Sequence, residues 1–194
     1  MNILKIFKYL EKKVNKPIPL EVKLVNKLPL TKEELIVKGS LNLSNSKITS
    51  LPDNLKVEGS LNLSNSKITS LPDNLKVEGY LDLNNTKITS LPDNLGVEGS
   101  LYLSNTKITS LPGNLKVNRD LYLSNTEITS LPGNLIVNRD LDLHNSKITS
   151  IPNNLVISGH LYIKDTPISR KYTKQQIRQM IEEKGGYVKG QIFS

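Results

Sequence analysis

The apolar positions of this chain repeat at a fixed interval of twenty residues. Leu43, Leu63, Leu83, Leu103, Leu123, Leu143 and Ile163 form one column. Ile48, Ile68, Ile88, Ile108, Ile128, Ile148 and Ile168 form a second, and Leu51, Leu71, Leu91, Leu111, Leu131 and Ile151 a third. The stretch from Gly39 to Glu58 recurs unchanged from Gly59 onward, and with small edits to about residue 168. A unit this short cannot enclose a core alone; stacked units share one, which is how solenoids become stable.

Within a unit, Leu61 and Leu63 have the spacing of a strand with one buried face. The recurring Leu-Pro pair, from Leu51-Pro52 to Ile151-Pro152, marks a turn, because proline lacks an amide and biases the preceding residue away from helix. Each coil is predicted to be a short parallel strand, a tight corner and a return segment through Leu-Pro-Asp-Asn-Leu-Lys-Val. The architecture expected is a right-handed solenoid of about seven coils.

Three polar columns refine this picture. The hydroxyls of Ser46, Ser66, Thr86, Thr106, Thr126, Ser146 and Thr166 are expected to point inward and satisfy backbone groups at the corner. Asn54, Asn74, Asn94, Asn114, Asn134 and Asn154 are expected to do the same after the proline. Gly39, Gly59, Gly79, Gly99 and Gly159 share a column with Arg119 and Arg139. Two arginines argue against a core-facing position, so a solvent-open corner is expected there, with glycine convenient but not required.

Both ends depart from the period, as an exposed core and strand edge require. Residues 2–14 read as a short amphipathic helix with Ile3, Ile6, Phe7, Leu10 and Val14 along one side. An N-terminal cap is the reading preferred over a membrane-surface segment. Thr173-Lys-Gln-Gln176 opens a second helix with a capping-box pattern, Ile177, Met180 and Ile181 supply its apolar stripe, and Gly185-Gly186 stop it. The tail through Phe193 alternates like a final edge strand. The expected division is 1–34 as N-terminal cap with a helix and a degenerate coil, 35–168 as solenoid, and 169–194 as helix-strand cap.

A hydrophobic fraction of 37% is low for a compact globule and suits a thin columnar core. The net charge of +8 belongs to the ends: residues 1–39 carry nine lysines against four acidic groups, whereas 40–163 are close to neutral. A uniformly basic surface along the repeats is therefore not expected. Absence of cysteine removes a disulfide framework, and no segment has the length of a membrane span or the pattern of a secretory signal. These features predict a soluble, cytoplasmic protein without a membrane partner.

The unit Leu-x-Leu-x-x-(Ser/Thr)-x-Ile-x-x-Leu-Pro-x-x-Leu, filled by Leu61, Leu63, Ser66, Ile68, Leu71 and Pro72, resembles a leucine-rich repeat over roughly residues 35–168. Two departures stand out. Ser or Thr replaces the usual ladder asparagine, and the segment after Leu-Pro is too short for long helices. The regular twenty-residue form resembles repeat proteins of bacteriophages and their bacterial hosts. The resemblance implies an α/β, mostly β, solenoid with a parallel sheet, binding through its strand face, and no enzymatic activity; it names no partner.

The outward positions beside the inward leucines are almost only Ser and Asn in the first two complete coils, then acquire Tyr, Asp, His and Arg. Tyrosine is a favoured interface anchor because it buries area and keeps a hydroxyl. A protein-binding patch is predicted at Tyr80, Tyr102, Tyr122, Arg119, Arg139, Asp120, Asp140 and Tyr162. Drift among duplicated coils is the competing explanation. The column Lys47, Lys67, Lys87, Lys107 and Lys147, interrupted by Glu127, offers a polyanion track, with Glu58, Glu78 and Glu98 as the carboxylates expected to offset it. It ranks second, because stacking platforms are missing from that column.

No nucleotide-binding glycine loop is present, and His144 and His160 with Asp142 and Asp140 make only a weak local cluster. The sequence thus predicts a recognition module that is not an enzyme, with no metal and no cofactor. Polyanion binding and a structural spacer are the alternatives, and the tail strand permits a homodimer.

Overall fold

The apolar columns become buried rows of one continuous cluster. A computed structural model describes residues 3–194, apart from the side chain of Leu10; Met1, and Asn2 at the start of the expected helix, lie outside the described residues. From Leu41 to Ile163 each coil sends the equivalents of Leu61, Leu63, Ile68, Leu71, Leu75 and Val77 inward, none more than 9% exposed. Each such side chain contributes about 1.5–3 kcal/mol by leaving water.

The strands at Leu41–Asn42, Leu61–Asn62, Leu81–Asp82, Leu101–Tyr102, Leu121–Tyr122, Leu141–Asp142, Leu161–Tyr162 and Ile192–Phe193 form one parallel sheet, each paired with the equivalent residue of the next coil. The return segment contains a second strand, which the sequence reading did not anticipate. Ile36–Val37, Lys56–Val57, Lys76–Val77 and Gly96–Val97 form one four-stranded sheet, and Lys116–Val117, Ile136–Val137, Val156–Ile157 and Tyr187–Val188 another. The cause is the inward alternation of Leu55 and Val57, both fully buried, which matches that of Leu61 and Leu63.

The glycine column lies at the bend between the two strands, a second corner as expected, but the expectation that glycine is merely convenient there was wrong. A Cβ on Gly59 would stand 2.6 Å from the backbone of Gly39 and Ser40, and one on Gly99 equally close to Gly79. Amides of Gly59, Gly79 and Gly99 each donate to the glycine carbonyl one coil back, at 3.1, 2.9 and 3.0 Å. Glycine is therefore required for close approach at Gly59, Gly79, Gly99 and Gly159, whereas a Cβ on Gly39, in the first coil, would meet nothing. Where Arg119 follows Gly99 the second sheet is interrupted. At the Arg139 step, the bond from the Asn138 amide to Val117 is stretched to 3.4 Å, against 2.8 Å for Glu58 to Val37. Both guanidinium groups remain exposed, so no charge is buried.

The hydroxyl column does face inward. Thr86, Thr106, Thr126 and Thr166 donate to the carbonyls of Leu83, Leu103, Leu123 and Ile163 at 2.6–2.7 Å. The asparagine column does not: Asn54, Asn74, Asn134 and Asn154 are exposed and hold φ of 60°, 60°, 59° and 53°. Asparagine serves there as the side chain most tolerant of a left-handed turn.

At the N-terminus, α1 (Ile3–Val14) is followed by α2 (Leu20–Val25). The stripe expected to cap the core leaves Ile3, Ile6 and Val14 exposed and Phe7 half-buried. Sealing falls instead to Leu24 of α2, with Leu20, Val25 and Leu30 packed beside it. Lys23 holds α2 to Glu34 across 2.6 Å.

At the other end, α3 (Pro167–Lys171) and α4 (Lys174–Glu183) each begin with a capping box, at Thr166/Ser169 and Thr173/Gln176. Ile177 and Ile181 are fully buried, and the chain turns at Gly185 with φ 79° into the last coil. Arg178 donates to the carbonyls of Val188 at 2.5 Å and Gly190 at 2.7 Å. The preceding coil offers the equivalent carbonyls, Ile157 and Gly159, to the amides of Lys189 and Gly190. One guanidinium thus satisfies the acceptors that a further coil would use.

Candidate functional site

Side chains between the inward leucines line the outer face of the eight-stranded sheet in columns set one strand spacing apart, about 4.8 Å. Register places Tyr102 beside Tyr122, Tyr122 beside Asp142, Asp142 beside Tyr162, and Tyr162 beside Phe193. The rings of Tyr102 and Tyr122 are stacked, with centroids 4.8 Å apart and planes 4° from parallel. Tyr80 meets Tyr102 edge-on at 5.9 Å. A second stack, Tyr162 on Phe193 at 4.8 Å and 8°, carries His160 against both rings.

Of the residues predicted to form a patch, Tyr80, Tyr102 and Tyr122 make direct ring contact, and Arg139 lies 4.0 Å from Asp120. Tyr162 belongs to the second stack, beyond Asp142. Tyr80, Tyr102 and Arg119 also border a shallow depression of about 300 Å³ with Glu78, Glu98 and Ser100. It lies where the second sheet is interrupted. A larger hollow of about 410 Å³, bounded by Leu24, Leu28, Leu30, Leu35 and Leu51, is the seam between α2 and the first coil.

Asp120 and Asp140 have a role the sequence did not disclose. In the column that runs Ser40, Ser60, Tyr80, Ser100, Asp120, Asp140, His160, every side chain but that of Tyr80 accepts the backbone amide one coil further on. Ser40 accepts from Ser60 at 3.0 Å, Asp120 Oδ1 from Asp140 at 3.2 Å, Asp140 Oδ1 from His160 at 2.7 Å, and His160 Nδ1 from Gln191 at 3.0 Å. The aspartates appear together with the arginines: Gly-Ser of other coils becomes Arg119-Asp120 and Arg139-Asp140. An aspartate reaches farther than a serine, which suits the Asp120 step, where Arg139 on the next coil carries a Cβ; at the Asp140 step the next coil has Gly159, whose amide reaches the Arg139 carbonyl at 2.9 Å. Part of the variation on this face is therefore structural compensation.

Three contributors to the face were missed. Phe193 aligns with the tyrosine column only when Val188-x-Gly190-x-Ile192 is matched to the repeat, across a gap of thirty-one residues instead of twenty. Asp142 and Asp82 were visible in the column but were not assigned a role. Each accepts the amide two residues on, from His144 at 2.8 Å and Asn84 at 2.9 Å. Burial pushes the Tyr122 phenol up, with Asp120, Tyr102, Asp140 and Asp142 adding to the effect. Tyr162 is raised in the same way, by desolvation and then by Asp140, Asp142 and Asp120. Desolvation likewise raises the Asp82 carboxyl, against the Asn84 amide bond that lowers it.

Lys47, Lys67, Lys87, Lys107 and Lys147 are all exposed, and none forms an ion pair among the described residues. The carboxylates expected to offset them are engaged elsewhere: Glu58 and Glu78 lie 3.5 and 2.8 Å from Lys56, and Glu98 accepts from Asn118. His144 stands 3.9 Å from Asp165. No group of three or more His, Cys, Asp or Glu placed to hold a metal ion occurs among the described residues. No described helix is long and apolar enough to cross a membrane.

No family model matches this sequence, and no curated protein matches it. Among solved structures, one titled "Structure of Shigella effector LRR domain" is similar over 100% of this chain and 98% of that chain, at 18% sequence identity and a TM-score of 0.48. By its own geometry the chain is a leucine-rich-repeat-like parallel solenoid, with two helices at its start, a helix-strand cap at its end, and aromatic residues gathered on one sheet face.

Proposed function

We propose that this protein is a recognition scaffold that binds a protein partner through the outer face of its eight-stranded sheet. The stack of Tyr102 on Tyr122 is the observation that carries this reading. Two parallel rings on a rigid sheet present apolar area already held in place, so little conformational entropy is lost on binding. Arg119, Arg139, Asp120, Asp140 and Tyr80 make up the rest of the patch, with Tyr162 on the second stack beyond Asp142. Residues 1–34 and 169–194 serve as caps to a binding unit at 35–168. The reading includes a cytoplasmic setting and no catalysis.

The exposed, unpaired lysine column supports a second reading, a track for a polyanion. Capture of partners from cell extract separates the two. The full chain is compared with Tyr102→Ala/Tyr122→Ala and with Lys67→Ala/Lys87→Ala, each with and without nuclease. Partners that survive nuclease and are lost by the tyrosine variant support protein recognition. Partners kept by that variant and lost on nuclease treatment overturn it.

A further inference from the structure

We propose that the sheet face between the two aromatic stacks docks a cationic segment of the partner, rich in arginine or lysine. This deepens the recognition role above and rests on it. The chain as a whole carries +8, yet its outer sheet columns run against that sign. They hold Asp82, Asp120, Asp140 and Asp142 against the ammonium of Lys164, with Arg119 and Arg139 at the adjoining bend. Three of those carboxylates sit on adjacent coils, and Asp142 is flanked in register by Tyr122 on one side and Tyr162 on the other.

The bonding of the carboxylates leaves them able to act. Asp140 and Asp142 each use Oδ1 to accept a backbone amide, from His160 and His144, while the second oxygen has no hydrogen-bond or ion-pair partner among the described residues. Asp120 spends both oxygens, the second on Ser100 at 3.0 Å, with Arg139 only at 4.0 Å. Carboxylate oxygens attract a cation directly, and the faces of neighbouring rings attract it through their quadrupole. A guanidinium entering over Asp142 would meet both. An anionic segment would meet repulsion instead, which sets this face apart from the lysine column.

The test measures anisotropy of a fluorescein-labelled octa-arginine peptide, with octa-glutamate as control, against the full chain at low and raised salt. Binding of octa-arginine alone, weakening with salt, is expected. Asp140→Asn/Asp142→Asn keeps the amide-accepting oxygens and removes the charges, so it should fold as the parent by circular dichroism. It should bind octa-arginine about ten-fold or more weakly. Asp53→Asn/Asp73→Asn, at exposed corners, should leave the affinity unchanged. No binding of octa-arginine, or equal weakening by both pairs, overturns the proposal. So does a dimer of the chain that the Asp140/Asp142 variant dissolves, because the occupant is then a second copy offering its own basic end. Loss of captured protein by the tyrosine variant with no octa-arginine binding overturns the cationic partner and leaves the recognition role standing.

Discussion

Arg119 occupies, one coil on, the position held by Gly99, and the second sheet is interrupted between them. Gly99 approaches Gly79 so closely that a Cβ would stand 2.6 Å from its backbone. Gly99→Ala is therefore expected to destabilise the fold by about 1–3 kcal/mol, the usual cost of forcing atoms into a packed site. Arg119→Gly should act in the opposite direction by letting the two four-stranded sheets join. Urea midpoints measure both, and a neutral Gly99→Ala would show that the close approach is not needed.

Ser146 is the exception in the hydroxyl column. Its Oγ is buried with no hydrogen-bond partner among the described residues, whereas Thr106 and Thr126 donate to the carbonyl three residues back. Ser146→Thr should place a hydroxyl on the Leu143 carbonyl and add a methyl to the core. A gain of about 1 kcal/mol is expected in thermal or urea unfolding. Destabilisation would mean the site lacks room for that methyl.

Arg178 ends the solenoid by bonding the carbonyls of Val188 and Gly190. Arg178→Met keeps the aliphatic stem and removes the donors. The expected loss is about 1–3 kcal/mol, from acceptors left to water or to another chain. Sedimentation should also show concentration-dependent association through the uncovered edge. A variant as stable and as monodisperse as the parent would remove this role.

Asp82 gives a pH signature. Burial raises its carboxyl above the ordinary value, so the folded state favours the protonated form. Its stabilising contribution is complete below the unfolded value, about 3.9, and is lost as pH rises through the folded one. Asp82→Asn should therefore raise the melting temperature at neutral pH, with the advantage shrinking in acid. Asn62 already fills this position one coil earlier and accepts the Ser64 amide at 2.9 Å, so the bond survives the change. An advantage of equal size at both pH values would refute the assignment.

Much of the fold was legible because the repeat states its core openly. Leu63, Ile68 and Leu71 recur at one interval, and a column that never accepts a charge is a buried one. The helix opened by Thr173 was legible for a similar reason, since its capping box, stripe and glycine stop are all local. The second strand was overlooked because Leu55 and Val57 offer only two inward residues in a stretch read as a return segment. The N-terminal helix shows the opposite failure: its stripe is amphipathic, but periodicity does not say whether the core lies within reach. The candidate site was half legible. Tyr102 and Tyr122 fall in one column by counting, but Phe193 joins the second stack only after the cap has inserted its helix.

The sequence by itself determined that twenty-residue units stack, which side chains they bury, and which residues vary on the surface. Those facts follow from periodicity, because equivalent residues in adjacent coils share one environment. The tertiary structure alone decided how close the coils come. That spacing makes Gly99 obligatory, has Arg119 interrupt a sheet, and turns Asp140 into an acceptor for the His160 amide. Such outcomes depend on tenths of an ångström between backbones twenty residues apart, and no local pattern encodes that distance.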